Sequence, residues 1–207
     1  MTPRTWSSRL ATGDWRLATG GLTIGSLQLT TALAAFVFGT MAIEARRAAR
    51  NEEAQRSRGA VEPPGDVYRL MRLAYPLAFL SMIVEGAVRG VPPRWSLAAG
   101  GATLAAAKAL KWWAIFSLGP FWTFRVLVIP GASLVRRGAY RWLRHPNYVG
   151  VVGELVGVAL LTGAAWTGAA SLVAFGILLV RRISTEERAL AAARGAPGSS
   201  KGTGIRD

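Results

Sequence analysis

The chain has 207 residues, of which 51% are hydrophobic and only 17% charged, with a formal net charge of +14. A soluble domain of this size carries about 25% charged residues. Here the arginines punctuate apolar runs instead of covering one polar face, which points to a membrane protein and away from a nucleic-acid binder. With no cysteine and one histidine, disulfides, thiolate zinc sites, cysteine nucleophiles and His-cluster metal sites are excluded.

In chain order, the first twenty residues carry Arg4, Arg9 and Arg16 and make a poor signal peptide, because the apolar run that follows starts late and is long. Leu22 to Ile43 is uncharged, long enough to cross about 30 Å of hydrocarbon. A basic segment follows, from Arg46 to Arg72, in which Gly59 to Asp66 holds two prolines and two glycines and reads as loop. Leu73 to Val88 is the second candidate span, interrupted only by Glu85, which Arg89 can pair at i+4. Trp95 to Ile115 is the third; Lys108 and Lys111 near its far end are expected to snorkel to the surface. Trp112, Trp113 and Trp122 fit an aromatic belt. The β-branched run Phe124 to Ile129, the turn signal Pro130-Gly131 and Leu134-Val135 predict a small β-hairpin.

From Val149 to Val180 only Glu154 is charged, and 32 residues are too many for one ordinary span. The small residues between Thr162 and Gly168 predict two short helices forming a hairpin, with its tip near Gly163 to Gly168. The tail from Gly195 onward is Gly/Ser-rich and is expected to be disordered. The fold class is therefore an all-α polytopic membrane protein of about five spans. Arginine placement puts the N-terminus outside and the C-terminus in the cytoplasm, although the three arginines of the first twenty residues run against that orientation. The expected division is membrane helices and a basic loop over 1–107, a catalytic region over 108–194 and a tail over 195–207. No internal repeat is present.

The lone histidine lies just before a proline at the mouth of an apolar run. Proline disfavours helix at the residue before it and suits the first helical turn, so His145 sits on a loop and Pro146 opens a helix. Antiparallel pairing of the final hairpin then brings His145 and Tyr148 to the depth of Arg181, Arg182, Glu186 and Glu187. Each of these residues also has a plainer reading. His145 suits interfacial hydrogen bonding, and the two glutamates suit a solvated helix paired with Arg182 and Arg188. Glu154, about 12 Å into the membrane, is either a helix–helix hydrogen bond or a functional group.

At these residues the sequence resembles the isoprenylcysteine carboxyl methyltransferase family of integral-membrane methyltransferases. The matching pieces are Gly138-Ala139-Tyr140-Arg141-x-Leu143-Arg144-His145-Pro146-Asn147-Tyr148, then Glu154, then Arg182-x-x-x-Glu186-Glu187-x-x-Leu190, with Leu110 to Ile115 and Trp122 to Val126 similar to a bacterial branch. The resemblance implies S-adenosylmethionine as methyl donor and a lipidic acceptor entering from the bilayer. It implies a cofactor-binding set of Tyr140, His145, Pro146, Tyr148, Glu154 and Glu187, and a catalytic set of Arg144, His145 and Glu186. Helix-start N–H groups near Pro146 suit the donor's carboxylate, a glutamate suits its cationic end, and Arg144 suits an anionic acceptor oxygen. His145 has the pKa of a base if the acceptor is a hydroxyl.

Two departures stand out. Ala139 replaces the family's proline, which should loosen the loop, and the tail after Arg194 cannot supply the closing segment common in relatives. That leaves the site open or lidded by Lys111 to Trp122. The expected acceptor is a lipidic carboxylate or hydroxyl, of isoprenylcysteine or long-chain phenol and alkylpyrone type. The alternatives are a phospholipid N-methyltransferase, a non-catalytic scaffold, and a membrane reductase, for which no Gly-x-Gly-x-x-Gly run is found.

Overall fold

The computed structural model describes residues 23–129 and 135–195 and is all-helical there. Five helices follow one another: α1 (Ile24–Arg56), α2 (Tyr68–Arg89), α3 (Arg94–Leu118), α4 (Pro146–Thr162) and α5 (Ala165–Gly195). Short 3₁₀ turns lie at Gly119–Phe121 and Gly138–Arg141. Among the described residues, three helices are long and apolar enough to cross a membrane: α1, α2 and α5. Helix α4 is apolar but has only 17 residues, so the expected count of five spans exceeds what length and composition support.

Helix α1 begins with a reciprocal cap. Thr23 Oγ1 accepts from Ser26 N (3.1 Å) and Ser26 Oγ accepts from Thr23 N (3.0 Å), satisfying two of the donors a helix start leaves open. The helix does not stop at Ile43, where the uncharged run ends, but continues for 33 residues in all, about 50 Å. The change of polarity marks the edge of the apolar zone and not the end of the helix. Beyond it, Glu44, Ala48 and Gln55 stay on a buried face. Asn51 Nδ2 donates to the carbonyls of Gly119 (3.1 Å) and Trp122 (2.7 Å), and Gln55 Nε2 to that of Pro120 (3.1 Å).

Pro146 opens α4 with His145 as N-cap, as predicted. The α4–α5 hairpin turns at Gly163, whose φ of 63° is left-handed backbone that glycine adopts without strain. Glu85 pairs with Arg89 as expected (2.6 Å). It also accepts from Thr167 N (2.7 Å), Thr167 Oγ1 (2.6 Å) and Trp166 N (3.2 Å). A carboxylate on α2 thus caps the start of α5, where the helix dipole favours negative charge.

Helices α3 and α4 approach most closely, through glycines. A Cβ on Gly157 would lie 2.8 Å from Leu104 N, and one on Gly100 2.8 Å from Leu161 N. Small residues permit such approach where lipid gives helices no hydrophobic reason to associate. Gly157→Ala should therefore force α3 and α4 apart and cost about 1–3 kcal/mol, read as a lower midpoint of thermal unfolding in detergent. An unchanged midpoint would show that the contact yields freely. The apolar core draws on all five helices, with Leu33 and Val37 of α1, Phe79 and Met82 of α2, Leu104 of α3, Leu155 and Val158 of α4 and Phe175 of α5. Leu73, Leu77, Leu80, Val84 and Val88 face outward along α2, the pattern of a lipid-facing stripe.

The predicted β-hairpin is not seen among the described residues, and its turn at Pro130-Gly131 and Leu134 lie outside them. Among the described residues there is no strand; Val128 instead makes a single antiparallel bridge to Val61 in the α1–α2 loop, at 2.9 and 3.0 Å. Val128 thus meets a residue 67 positions upstream (128 − 61), in the Gly/Pro segment read correctly as loop. The first twenty-two residues and the tail after Gly195 also lie outside the described residues.

Candidate active site

The final hairpin assembles the cluster expected of it. Tyr148, on the first turn of α4, donates its hydroxyl to Glu186 Oε2 (2.7 Å) and accepts from Arg182 Nε (3.3 Å). His145 Nε2 lies 3.2 Å from Glu187 Oε1, and its ring stacks on that of Tyr148, 5.6 Å between centroids. Arg144 Nε also meets Glu187 Oε1, at 3.2 Å, with its side chain 78% exposed. The two glutamates therefore divide their partners: Glu187 takes His145 and Arg144, whereas Glu186 has only the tyrosine hydroxyl and no ion-pair partner among the described residues.

Tyr140 comes from the turn Gly138–Arg141. Gly138 has φ 56°, and a Cβ there would fall 2.0 Å from Ser117 Oγ, so the turn is seated directly on α3. Ala139 N–H donates to the same Ser117 Oγ at 3.1 Å. A proline has no N–H to give, so the alanine supplies a tie that the family's proline could not. Burial, and then the negative charge of Glu186, raise the Tyr140 phenol well above its ordinary pKa. It remains a neutral hydroxyl at physiological pH.

A cavity of about 440 Å³ opens beside these residues, within the range of small-ligand pockets. Tyr140, His145, Tyr148 and Glu186 line it, joined by α2 residues and by the segment Phe121 to Val128. Arg144, Pro146, Glu154 and Glu187 are not among its lining residues. The helix-start N–H groups are also mostly used: Tyr148 N and Val149 N both point back to His145 O, at 3.1 and 3.2 Å. Only the Asn147 N–H remains in that first turn, fewer than the sequence suggested.

Glu154 belongs to a buried ionic quartet. Lys108 Nζ lies 3.2 Å from Glu44 Oε1 and 3.0 Å from Glu154 Oε1; Lys111 Nζ lies 2.7 Å from Glu44 Oε2 and 3.2 Å from Glu154 Oε2. The Tyr75 hydroxyl donates to Glu154 Oε2. All four charged side chains are at most 9% exposed. This corrects the expectation for Lys108 and Lys111, which turn inward because two carboxylates on other helices await them. Glu154 follows its plainer reading, a contact between helices. Trp122 also departs from expectation: it is 2% exposed and donates its ring N–H to Asn147 Oδ1 (3.2 Å), so it is a wall of the site and not part of a surface belt.

Sequence reasoning missed Asp66. It binds Arg182 Nη1 and accepts from Val126 N (3.1 Å) and Tyr68 N (3.0 Å). Arg182 Nη2 also donates to Phe124 O. One carboxylate thus fixes the segment Phe124 to Val126, the start of α2 and the guanidinium behind Tyr148. The signal available was a lone acid just before a span in a chain rich in arginine.

The profile of the isoprenylcysteine carboxyl methyltransferase family matches residues 101–192, which include α4, most of α5 and the cluster above. The chain is 33% identical over 159 residues to the uncharacterized protein YpbQ of Bacillus subtilis, covering 76% of this chain and 94% of that protein. It is 27% identical over 142 residues to an uncharacterized protein of Haemophilus influenzae, covering 68% and 83%. No solved structure matches to a significant degree. The matched stretch carries the hairpin and both glutamates, and the chain belongs to the isoprenylcysteine carboxyl methyltransferase family, whose members are integral-membrane methyltransferases that draw on S-adenosylmethionine.

Proposed function

We propose that this protein uses S-adenosylmethionine to methylate the oxygen of a lipidic carboxylate or hydroxyl, with the site at the cytoplasmic face of the membrane. The observation that carries this reading is Glu186. It is a carboxylate lining an aromatic and largely apolar cavity, held by Tyr148 alone and paired with no cation among the described residues. A positively charged ligand is the natural complement of such a group. When bound, the donor supplies an electrophilic methyl on sulfonium, which passes to the acceptor oxygen as the neutral thioether leaves.

The protein's own residues position and screen. Glu186 would hold the donor's cationic end, Tyr140 and Tyr148 would flank it, and Glu187 would act at one remove by orienting His145. The stacked His145 ring forms part of the wall and can take a proton if the acceptor is a phenol or enol; a carboxylate acceptor needs no base. Arg144 acts as an outer contact of Glu187 and does not reach the acceptor. Pro146 and Glu154 act as supports of the helix start and the floor, not as ligands. Isoprenylcysteine-like, phenolic and alkylpyrone lipids are acceptors of suitable chemistry.

The test is binding of S-adenosylmethionine to the detergent-solubilised full chain. Glu186→Gln should weaken it about 10- to 100-fold, the value of a charge-assisted bond. His145→Ala and Glu187→Gln should have smaller effects. No binding by the unmodified protein would end the methyltransferase reading, and binding untouched by all three substitutions would move the pocket elsewhere. Labelled methyl transferred to membranes and released by mild base identifies a carboxyl ester, whereas a base-stable product identifies an ether or a phospholipid amine.

A further inference from the structure

The cavity lining carries four cationic side chains, and three are already neutralised. Lys111 lies between Glu44 and Glu154, Arg125 meets Glu62 at 2.8 Å and Glu52 at 3.4 Å, and Arg182 is bound to Asp66. Arg72 alone has neither an ion pair nor a hydrogen bond among the described residues. Arg72 is exposed, but it also borders the cavity, on a shared face of α2. Tyr68, Met71, Arg72 and Tyr75 all line the cavity, and at i, i+3, i+4 and i+7 they form one helix face. The lipid stripe of Leu73, Leu77 and Leu80 lies on another face.

Depth separates Arg72 from the donor end. The Asp66–Arg182 pair sets a common level for the start of α2 and the end of the apolar part of α5. From there α2 leads into the membrane, so Arg72, four residues after Tyr68, lies about 6 Å deeper. Helix α5 leads outward, so Glu186, four residues past Arg182, lies about 6 Å toward water. The cavity is thus polarised, with an unpaired carboxylate on its water side and an unpaired guanidinium on its membrane side.

We infer that Arg72 receives the acceptor, and that the acceptor is an amphiphile bearing an anionic oxygen whose chain remains in the bilayer. This rests on the methyltransferase reading for its donor side. A guanidinium binds a carboxylate or enolate in two-pronged fashion. An anion held there neutralises the one cation left over in the lining. The sequence pointed to Arg144 for this task, but Arg144 does not line the cavity and its charge is taken by Glu187. Arg72 precedes the stretch that the family profile matches, so family membership does not carry this assignment.

Dodecanoate and dodecanol serve as probes of equal chain length that differ in charge. Their binding is measured with the full chain in nanodiscs of zwitterionic lipid, alongside binding of S-adenosylhomocysteine. Dodecanoate should bind about 10- to 100-fold more tightly than dodecanol. Arg72→Gln should erase that preference and leave the S-adenosylhomocysteine affinity unchanged, and Arg72→Lys should restore part of it. Arg69→Gln, at an arginine that is equally exposed but lies outside the cavity lining, should change nothing. The inference is overturned if dodecanoate shows no preference, if Arg72→Gln leaves the preference intact, or if that substitution weakens S-adenosylhomocysteine instead. Failure of S-adenosylhomocysteine to bind the unmodified protein would count against the methyltransferase reading, and the dodecanoate comparison would still decide the role of Arg72.

Discussion

Replacing Lys111 with methionine will destabilise the protein by about 3–5 kcal/mol, the usual cost of removing one partner from a buried ion pair. The methionine fills the space of the lysine stem, so the loss reports charge more than volume. Lys111 faces both Glu44 (2.7 Å) and Glu154 (3.2 Å), and its removal leaves two largely buried carboxylates to one ammonium. Glu154→Leu alone should cost as much, by leaving two lysines to one glutamate. The double variant Lys111→Met/Glu154→Leu should recover most of the loss, because Lys108 and Glu44 remain paired at 3.2 Å and well-packed apolar side chains replace buried ions at little cost. Thermal unfolding of the four proteins in one detergent reads this directly. Single losses that simply add in the double variant would mean that the quartet is not a coupled unit.

Asp66→Ala will have an effect of similar size, about 3–5 kcal/mol, and will also disable the candidate site. Arg182 is 5% exposed, and without Asp66 its guanidinium has no carboxylate. Val126 and Tyr68 also lose the acceptor of their N–H groups. Because Arg182 also donates to Tyr148, which holds Glu186, the damage reaches the donor pocket. Asp66→Asn, which keeps the shape and loses the charge, should fall between the two. The check is thermal unfolding with and without S-adenosylhomocysteine. The unliganded midpoint should drop, and the increment on adding ligand should shrink. A full ligand increment in Asp66→Ala would show that the loop and the pocket are independent.

The parts of the fold legible in the sequence were those governed by local rules. Proline at a helix start, small residues at a turn and the length of an uncharged run located α4, α5 and the tip at Gly163, and hairpin geometry then brought His145 and Tyr148 to Glu186 and Glu187. Quantities set by distant partners were not legible. Lys108 and Lys111 looked like residues that reach for the surface, since nothing along α3 reveals that Glu44 of α1 and Glu154 of α4 stand opposite. The bridge of Val128 to Val61 was not legible, because Val61 lies in another loop. Ala139 looked like a weakened proline until Ser117 was found beneath it. Hydropathy also marked the end of the apolar run at Ile43 but not the end of α1, which runs on because its buried face continues as far as Gln55.

The quartet and the Asp66–Arg182 pair have a consequence for how the chain holds together. The segment matched by the family profile buries Lys108, Lys111 and Arg182 but supplies only Glu154 against them. The missing negative charges, Glu44 and Asp66, come from the first hundred residues. Severed after α2, each piece would carry an uncompensated interior charge of two, positive in one and negative in the other. The two lengths of chain therefore behave like the halves of an obligate heterodimer, each insoluble in lipid by itself and each the counterion of the other.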